Sequence, residues 1–344
     1  MKNITSIALA GALTMVTAQA AVSNVAGYNT HTIYAAFGPG SPKNNVLAPE
    51  LENAATFTST IDSINVDQLV LTGAAFAGGE FDAGTKVYGI NYTYYVETAD
   101  GYWAQIVSND ATSIIVEAGA GANFTAAETV TIRKHVTIAE YFGPNNETGM
   151  LSDNVGSVSS ADNITLIDEV NGGTITVFPS SVIPGSTYLT TSFEEGGDVS
   201  IYPDQGLQVL RRGATDLSVV HEGIVDENGR QIGISTGVQI RPINVPVPTS
   251  LDYLGLHTGD PATGLVGSAT ASIGEADGLS VLVNGSPTNY FYSTIDLGSG
   301  PGWYTSGFAP AGDLPVGAGL IINRNNPTNS SPFIWMNPGA TVAP

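Results

Sequence analysis

Phe193-Glu194-Glu195-Gly196-Gly197-Asp198 runs through Pro203 into Gly206-Leu207-Gln208-Val209-Leu210-Arg211. The pattern returns as Phe308-Ala309-Pro310-Ala311-Gly312-Asp313, through Pro315, into Gly319-Leu320-Ile321-Ile322-Asn323-Arg324. Both read F-x-x-x-G-D, a proline, then G-L-x-[apolar]-x-R, and other landmarks keep the same order around them. Upstream, Thr137-Ile138-Ala139-Glu140-Tyr141-Phe142-Gly143 matches Thr249-Ser250-Leu251-Asp252-Tyr253-Leu254-Gly255. In each, a Thr hydroxyl can cap the first amides of a short helix, the acid three residues on can cap back, and the Gly can stop it. Ala161-Asp162 with Val170-Asn171-Gly172 matches Ala276-Asp277 with Val283-Asn284-Gly285, and Tyr188 and Trp303 each stand five residues before the Phe. Val130-x-Ile132-Arg133 and Val238-x-Ile240-Arg241 precede the two helix signals as equivalent strands. The spacing predicts one supersecondary unit used twice, over 137–212 and 249–324.

The composition makes these units β. Gly 41 and Pro 19, with Lys+Arg only 10, disfavour helices, while Val, Ile, Thr and Tyr are abundant. The expected fold is all-β: an N-terminal β region over 21–136, then two β-sandwich or barrel-like units, each with one short capped helix. Residues 213–248 join the units as a hairpin with an Asn228-Gly229 turn and a stiff extended connector through Pro242, Pro246 and Pro248. The tail, 325–344, carries Phe333 and Trp335 and is expected to pack back as an edge strand. In the N-terminal region Lys86 to Glu97 reads as one long strand, turned at Asp100-Gly101 into Tyr102-Trp103-Ala104-Gln105-Ile106-Val107.

Residues 1–20 have the pattern of a secretory signal: Lys2, an apolar run from Ile4 to Val16, and Ala18-Gln19-Ala20 as an A-x-A site. That run is shorter than the roughly 18 residues of a spanning helix, and no later segment is long enough either. An exported, extracellular, cell-surface or periplasmic chain follows. The formal charge is −21, and removing Lys2 makes it more negative. Such a field repels phosphate backbones and anionic lipid, which argues against nucleic acid and a membrane surface as partners. It suits divalent cations, so Ca²⁺ is the one ion kept open, although Asp226-Glu227-Asn228-Gly229 lacks the EF-hand pattern. With Cys 0, disulfides, thiol catalysis and Cys-ligated metals are excluded.

Taken together, Tyr95-Val96-Glu97 with Asp100-Gly101, Ile106 with Ser108-Asn109, Ile132-Arg133 leading into Thr137 to Gly143, and both G-L-x-[apolar]-x-R elements carry a resemblance. Over nearly the whole chain after the signal, the sequence resembles a family of exported β-repeat proteins common in Verrucomicrobia and related bacteria. That family has no known activity, so the resemblance implies export and repetition and nothing about chemistry.

Candidate chemistry is sparse. Glu140 and Asp252 could pass for catalytic acids, but helix capping explains their type and spacing. Asp198 with Arg211, and Asp313 with Arg324, read as an ion pair in each unit fixing a turn to a strand end, or as a pair of ligand clamps built on an Arg fork. Tyr92, Tyr94, Tyr95, Tyr102 and Trp103 form one aromatic hairpin; Tyr290, Tyr292, Trp303 and Tyr304 form another. These are core residues between sheets or a platform for sugar rings, and in the second case Tyr92, Tyr94, Trp103, Trp303 and Tyr304 are the binding residues. His31, His135, His221 and His257 lack metal-ligand spacing, and no serine sits in G-x-S-x-G. The expectation is a non-catalytic structural or surface protein that self-associates. The alternative is a glycan-binding module for surface polysaccharide; an all-β acid-base hydrolase ranks last.

Overall fold

The computed structural model describes residues 26–38, 40–167, 173–226, 229–243, 245, 248–283, 286–315, 319–324 and 332–339. The expected signal segment, both Val-Asn-Gly turns, Glu227-Asn228 and Pro246 lie wholly or partly outside them. The fold is all-β, arranged as a closed barrel and two sheet sandwiches.

The barrel closes six antiparallel strands: Ala55–Asn65, Gln68–Leu71, Ser113–Val116, Trp103–Asn109, Tyr94–Thr98 and Thr129–Lys134, the last returning to the first. Ile61, Leu69, Val96, Ala104, Ile106, Ile114, Val130 and Ile132 fill it. Period-2 alternation puts these side chains inside. The Asp100-Gly101 turn is present, with Gly101 at φ 83°, and it pairs Glu97 with Trp103. The long strand expected from Lys86 to Glu97 is broken: Gly84–Lys86 and Gly89–Asn91 form their own small hairpin, and the barrel strand starts at Tyr94.

Each sandwich has a five-stranded sheet. In the first, the order is Tyr188–Thr190, Thr174–Pro179, Asn163–Ile167, Leu207–Arg211, Lys43–Leu47; in the second, Gly302–Thr305, Ser286–Ser293, Gly278–Val283, Leu320–Arg324, Gly237–Arg241. The two orders correspond strand for strand. Each sheet is covered by a ribbon: Ala26–Ile33 with Leu217–Val225 in the first, Arg230–Ile234 with Phe333–Asn337 in the second. The cores lie between, with Ile33, Ile164, Leu166, Val209 and Val219 in one and Ile234, Leu279, Val281, Ile322 and Trp335 in the other. The tail therefore packs back as expected, donating its strand to 230–234.

This pairing corrects several sequence expectations. Strands 26–33 and 43–47 belong to the first sandwich, so the N-terminal region is not one domain over 21–136. The chain leaves the first sandwich after Leu51–Glu52, builds the barrel over 55–134 and returns at Val136–Thr137. Strand 129–134 is a barrel strand, and the true counterpart of 237–241 is 43–47. A shared detail marks that equivalence. Asn45 accepts from the Tyr34 amide at 2.8 Å and donates to its carbonyl at 3.2 Å, and Gln239 does the same with Ser235 at 3.3 and 2.6 Å. Nor do 217–225 and 230–234 form a hairpin, since each pairs with a strand distant in sequence.

Only the first unit has the expected α-helix, Ile138–Phe142. Its capping box is complete: the Glu140 amide donates to the Thr137 hydroxyl at 3.2 Å and the Thr137 amide to the Glu140 carboxylate at 3.0 Å. In the second unit Thr249 pairs with Leu314, the side-chain cap moves to Ser250, which accepts from the Tyr253 amide at 3.1 Å, and turns replace the helix. No helix among the described residues is long and apolar enough to cross a membrane.

The opening stretch forms the same reversal in both units. Phe193 and Phe308 have φ 62° and 63°, rare for an aromatic residue. Each is held because its amide bonds the carbonyl of Thr190 or Thr305 at 2.9 Å. Gly206 and Gly319 then begin strands where the two units touch. A Cβ on Gly206 would stand 2.3 Å from Cγ2 of Ile240, and one on Gly319 would stand 2.4 Å from Cγ1 of Val46. Ile240 and Val46 are equivalent positions, so the contact is reciprocal, as across a two-fold axis.

Candidate functional site

The proposed Asp–Arg pairs do not form. Arg211 pairs with Asp162, whose carboxylate also accepts the amides of Leu151 at 2.7 Å and Arg212 at 2.6 Å. In the second unit the guanidinium of Arg324 lies 3.8 Å from Asp277, which accepts the Val266 amide at 2.8 Å. Asp198 instead bonds Lys86 at 2.5 Å, and Asp313 is exposed. The partner was thus the Asp of the Ala-Asp landmark. It sits in the loop immediately before the neighbouring strand of the sheet, whereas Asp198 and Asp313 lie in the turn at the surface. Asp162, Arg211, Asp277 and Arg324 are all buried, so these pairs clip a loop to a strand and cannot clamp a ligand.

The aromatic hairpins present no platform. Tyr92, Trp303 and Tyr304 are buried. Tyr94 packs edge-on to Phe81 at 5.0 Å against the barrel core, and the half-buried Trp103 meets Tyr95 edge-on at 6.1 Å. The four histidines are likewise internal or packed. His257 stacks on Tyr292 at 3.6 Å with its Nδ1 2.9 Å from the Leu265 carbonyl. His31 shares a hydrogen bond with the Tyr141 hydroxyl, and His221 packs on the same ring at 5.0 Å. Burial, with His31 nearby, pulls His221 down to about 4.

The densest polar cluster lies where the barrel meets the sandwiches. Glu52 and Glu97 both contact Arg133 and Arg230. Arg230 sits over the Tyr95 ring at 5.9 Å. Beside them, His135 stacks on Tyr95 at 4.7 Å and bonds the Gln105 side-chain oxygen at 2.7 Å; burial drives it down to about 3, so it is neutral. Burial also raises Glu97, opposed by Arg133. The signal for this cluster was absent from the sequence, because its members come from four separated segments. The space left among them is about 20 Å³, the room of one water, so no substrate fits. The cluster fastens the barrel to both sandwiches, with Gln231 also donating from its amide to the Gly101 carbonyl at 2.9 Å.

Among the described residues, two openings are large enough for a ligand, and one of them, about 650 Å³, is lined by Ile167, Val238, Gln239, Arg241, Phe333 and Ile334. A cleft of about 610 Å³ lies between the outer faces of the two five-stranded sheets, lined by Val46, Ile167 and Gln208 from one unit and Ile240, Leu282 and Ile321 from the other. Among the described residues no three His, Asp or Glu side chains converge as metal ligands. No family model, curated protein or solved structure matches this chain.

Proposed function

We propose that this is an exported, non-catalytic structural protein of the cell surface or extracellular matrix. We further propose that its two sandwiches are a tandem duplication with the barrel inserted into the first copy. The matching strand orders, the paired Asn45 and Gln239 brackets and the buried Asp–Arg clips support the duplication. The acidic, signal-bearing sequence and the resemblance to exported β-repeat proteins support export.

The observation that carries the structural reading is the strand Phe333–Asn337. Phe333 and Trp335 face the core, while Ile334 and Met336 face outward at 62% and 49% exposure. Among the described residues only one of its edges is paired. An open strand edge beside exposed apolar side chains is a template for association. The polar clusters, in contrast, are spent inside the fold.

Light scattering on the chain from Ala21 onward tests this, with and without calcium. Concentration-dependent growth into larger species is expected, and Ile334→Lys with Met336→Lys should reduce it. A monomer at every concentration in both conditions would overturn the reading.

A further inference from the structure

One loop of the second unit has outgrown its counterpart in the first. Leu151 and Val266 are equivalent, since their amides donate to Asp162 and Asp277 at 2.7 and 2.8 Å, and counting back from them aligns Thr148-Gly149 with Thr263-Gly264. Gly143 to Gly149 is seven residues counted inclusively, whereas Gly255 to Gly264 is ten. The longer loop carries Gly259-Asp260-Pro261, which holds the one Asp-Pro bond in the sequence.

That bond is held from both sides. The Asp260 carbonyl accepts the Thr263 amide at 3.0 Å, closing a tight turn with Pro261 second in it, and the hydroxyls of Thr258 and Thr263 reach the same oxygen at 3.1 and 3.3 Å. Gly264 permits this approach, because a Cβ there would stand 2.7 Å from the Thr258 hydroxyl. Beyond the bond, the buried Arg324 donates from Nη2 to the Pro261 carbonyl at 2.9 Å. The Asp260 carboxylate accepts the Ala262 amide through Oδ1 at 2.9 Å, which folds it back over the turn that contains the bond. Residues 258–263 are exposed, so water reaches them. A tight turn needs one amide on that carbonyl and does not call for two hydroxyls as well. Donors gathered on a carbonyl oxygen stabilise the charge that develops there when its carbon is attacked.

We propose that the chain cleaves itself once, between Asp260 and Pro261. The Asp260 carboxyl bonds the main-chain carbonyl carbon of its own residue and closes a five-membered anhydride. The C–N bond breaks, its electron pair stays on the Pro261 nitrogen, and the carboxyl proton goes there. Water then opens the anhydride, which leaves Asp260 with two carboxyl groups and Pro261 as a free amino terminus. Proline suits the leaving side because it has no N–H, so the competing closure of that nitrogen onto the Asp260 side chain is blocked. Such a cut acts once, on its own chain, and neither needs nor opposes the self-association proposed above. The two pieces remain paired, 237–241 with 320–324 and 230–234 with 333–337.

Intact mass spectrometry of the full chain incubated at pH 5 tests it, with the same chain unfolded in urea as the comparator. Two fragments are expected, one ending at Asp260 and one beginning at Pro261, their masses summing to the parent plus one water. They should form about tenfold faster or more in the folded chain, where the donors are in place. Thr258→Val and Thr263→Val should each slow the cut about tenfold in chains whose circular dichroism matches the parent. Asp260→Glu, which would have to close a larger ring, should stop it. No cut between Asp260 and Pro261, an equal rate in the folded and unfolded chains, indifference to both valine substitutions, or the parent's rate in Asp260→Glu would overturn the proposal.

Discussion

Replacing Asp162 by Asn asks whether the clip to Arg211, rather than the surface turn at Asp198, holds the first sandwich together. Asp162 is fully buried, as is Arg211. The guanidinium is otherwise satisfied by the Thr215 carbonyl, at 3.3 Å from Nε and 3.0 Å from Nη2. It folds back over Gly213, where a Cβ would come within 2.2 Å of it. An Asn carboxamide keeps one acceptor. If its oxygen faces Arg211 and Leu151, its NH₂ confronts the Arg212 amide; flipped, it confronts the guanidinium. Either way a buried donor is orphaned, at about 1–3 kcal/mol, and the guanidinium loses its counter-charge, which brings the total to about 3–5 kcal/mol. Asp198→Asn removes an ion pair to Lys86 whose carboxylate is half exposed, for less than about 1 kcal/mol. Urea unfolding at pH 7, with hydrogen exchange along Leu207–Arg211, measures both. The three tryptophans lie in the barrel and the second sandwich, so exchange is the probe that reports on this unit. A loss at Asp198 equal to that at Asp162 would refute the assignment.

Acidification should destabilise the fold. His135 and His221 have folded values depressed by burial to about 3 and about 4, so the stability they contribute is present above their unfolded value near 6.5 and is lost as pH falls through the folded values. At pH 5 each gives up about 2 kcal/mol. Glu97 and Asp204, raised by burial, act in the opposite sense, so the isolating comparison is His135→Gln, whose stability should fall less between pH 7 and pH 5 than the parent's. Gly206→Ala should lose about 1–3 kcal/mol by driving a methyl into Ile240, and Ile240→Ala in the same chain should recover part of it; thermal melting decides. Trp335→Ala should cost about 3–5 kcal/mol, because the indole is buried and donates to the Leu254 carbonyl at 2.6 Å, and its melting temperature should drop well below that of Ile334→Lys.

What the amino-acid sequence determined by itself is local chemistry and order. Thr137 and Glu140 are three residues apart and cap one helix through contacts that need no distant partner. Asp100-Gly101 turns its hairpin because glycine takes φ 83° without strain. The two F-x-x-x-G-D stretches announce two like units, and in each the same backbone reversal follows. Tertiary structure decided everything that depends on which strand lies beside which. Nothing in Ala26–Ile33 names Leu217–Val225 as its partner, since strand pairing is a choice among many apolar edges settled by the packing of the whole core. For that reason Arg211 finds Asp162 across the sheet and not Asp198 in the nearer turn, and the barrel lies inside a sandwich whose first strands precede it. The cleft belongs to the same class. Ile167 and Leu282 are ordinary strand residues in sequence, and only the meeting of two sheet faces turns them into the walls of one cleft.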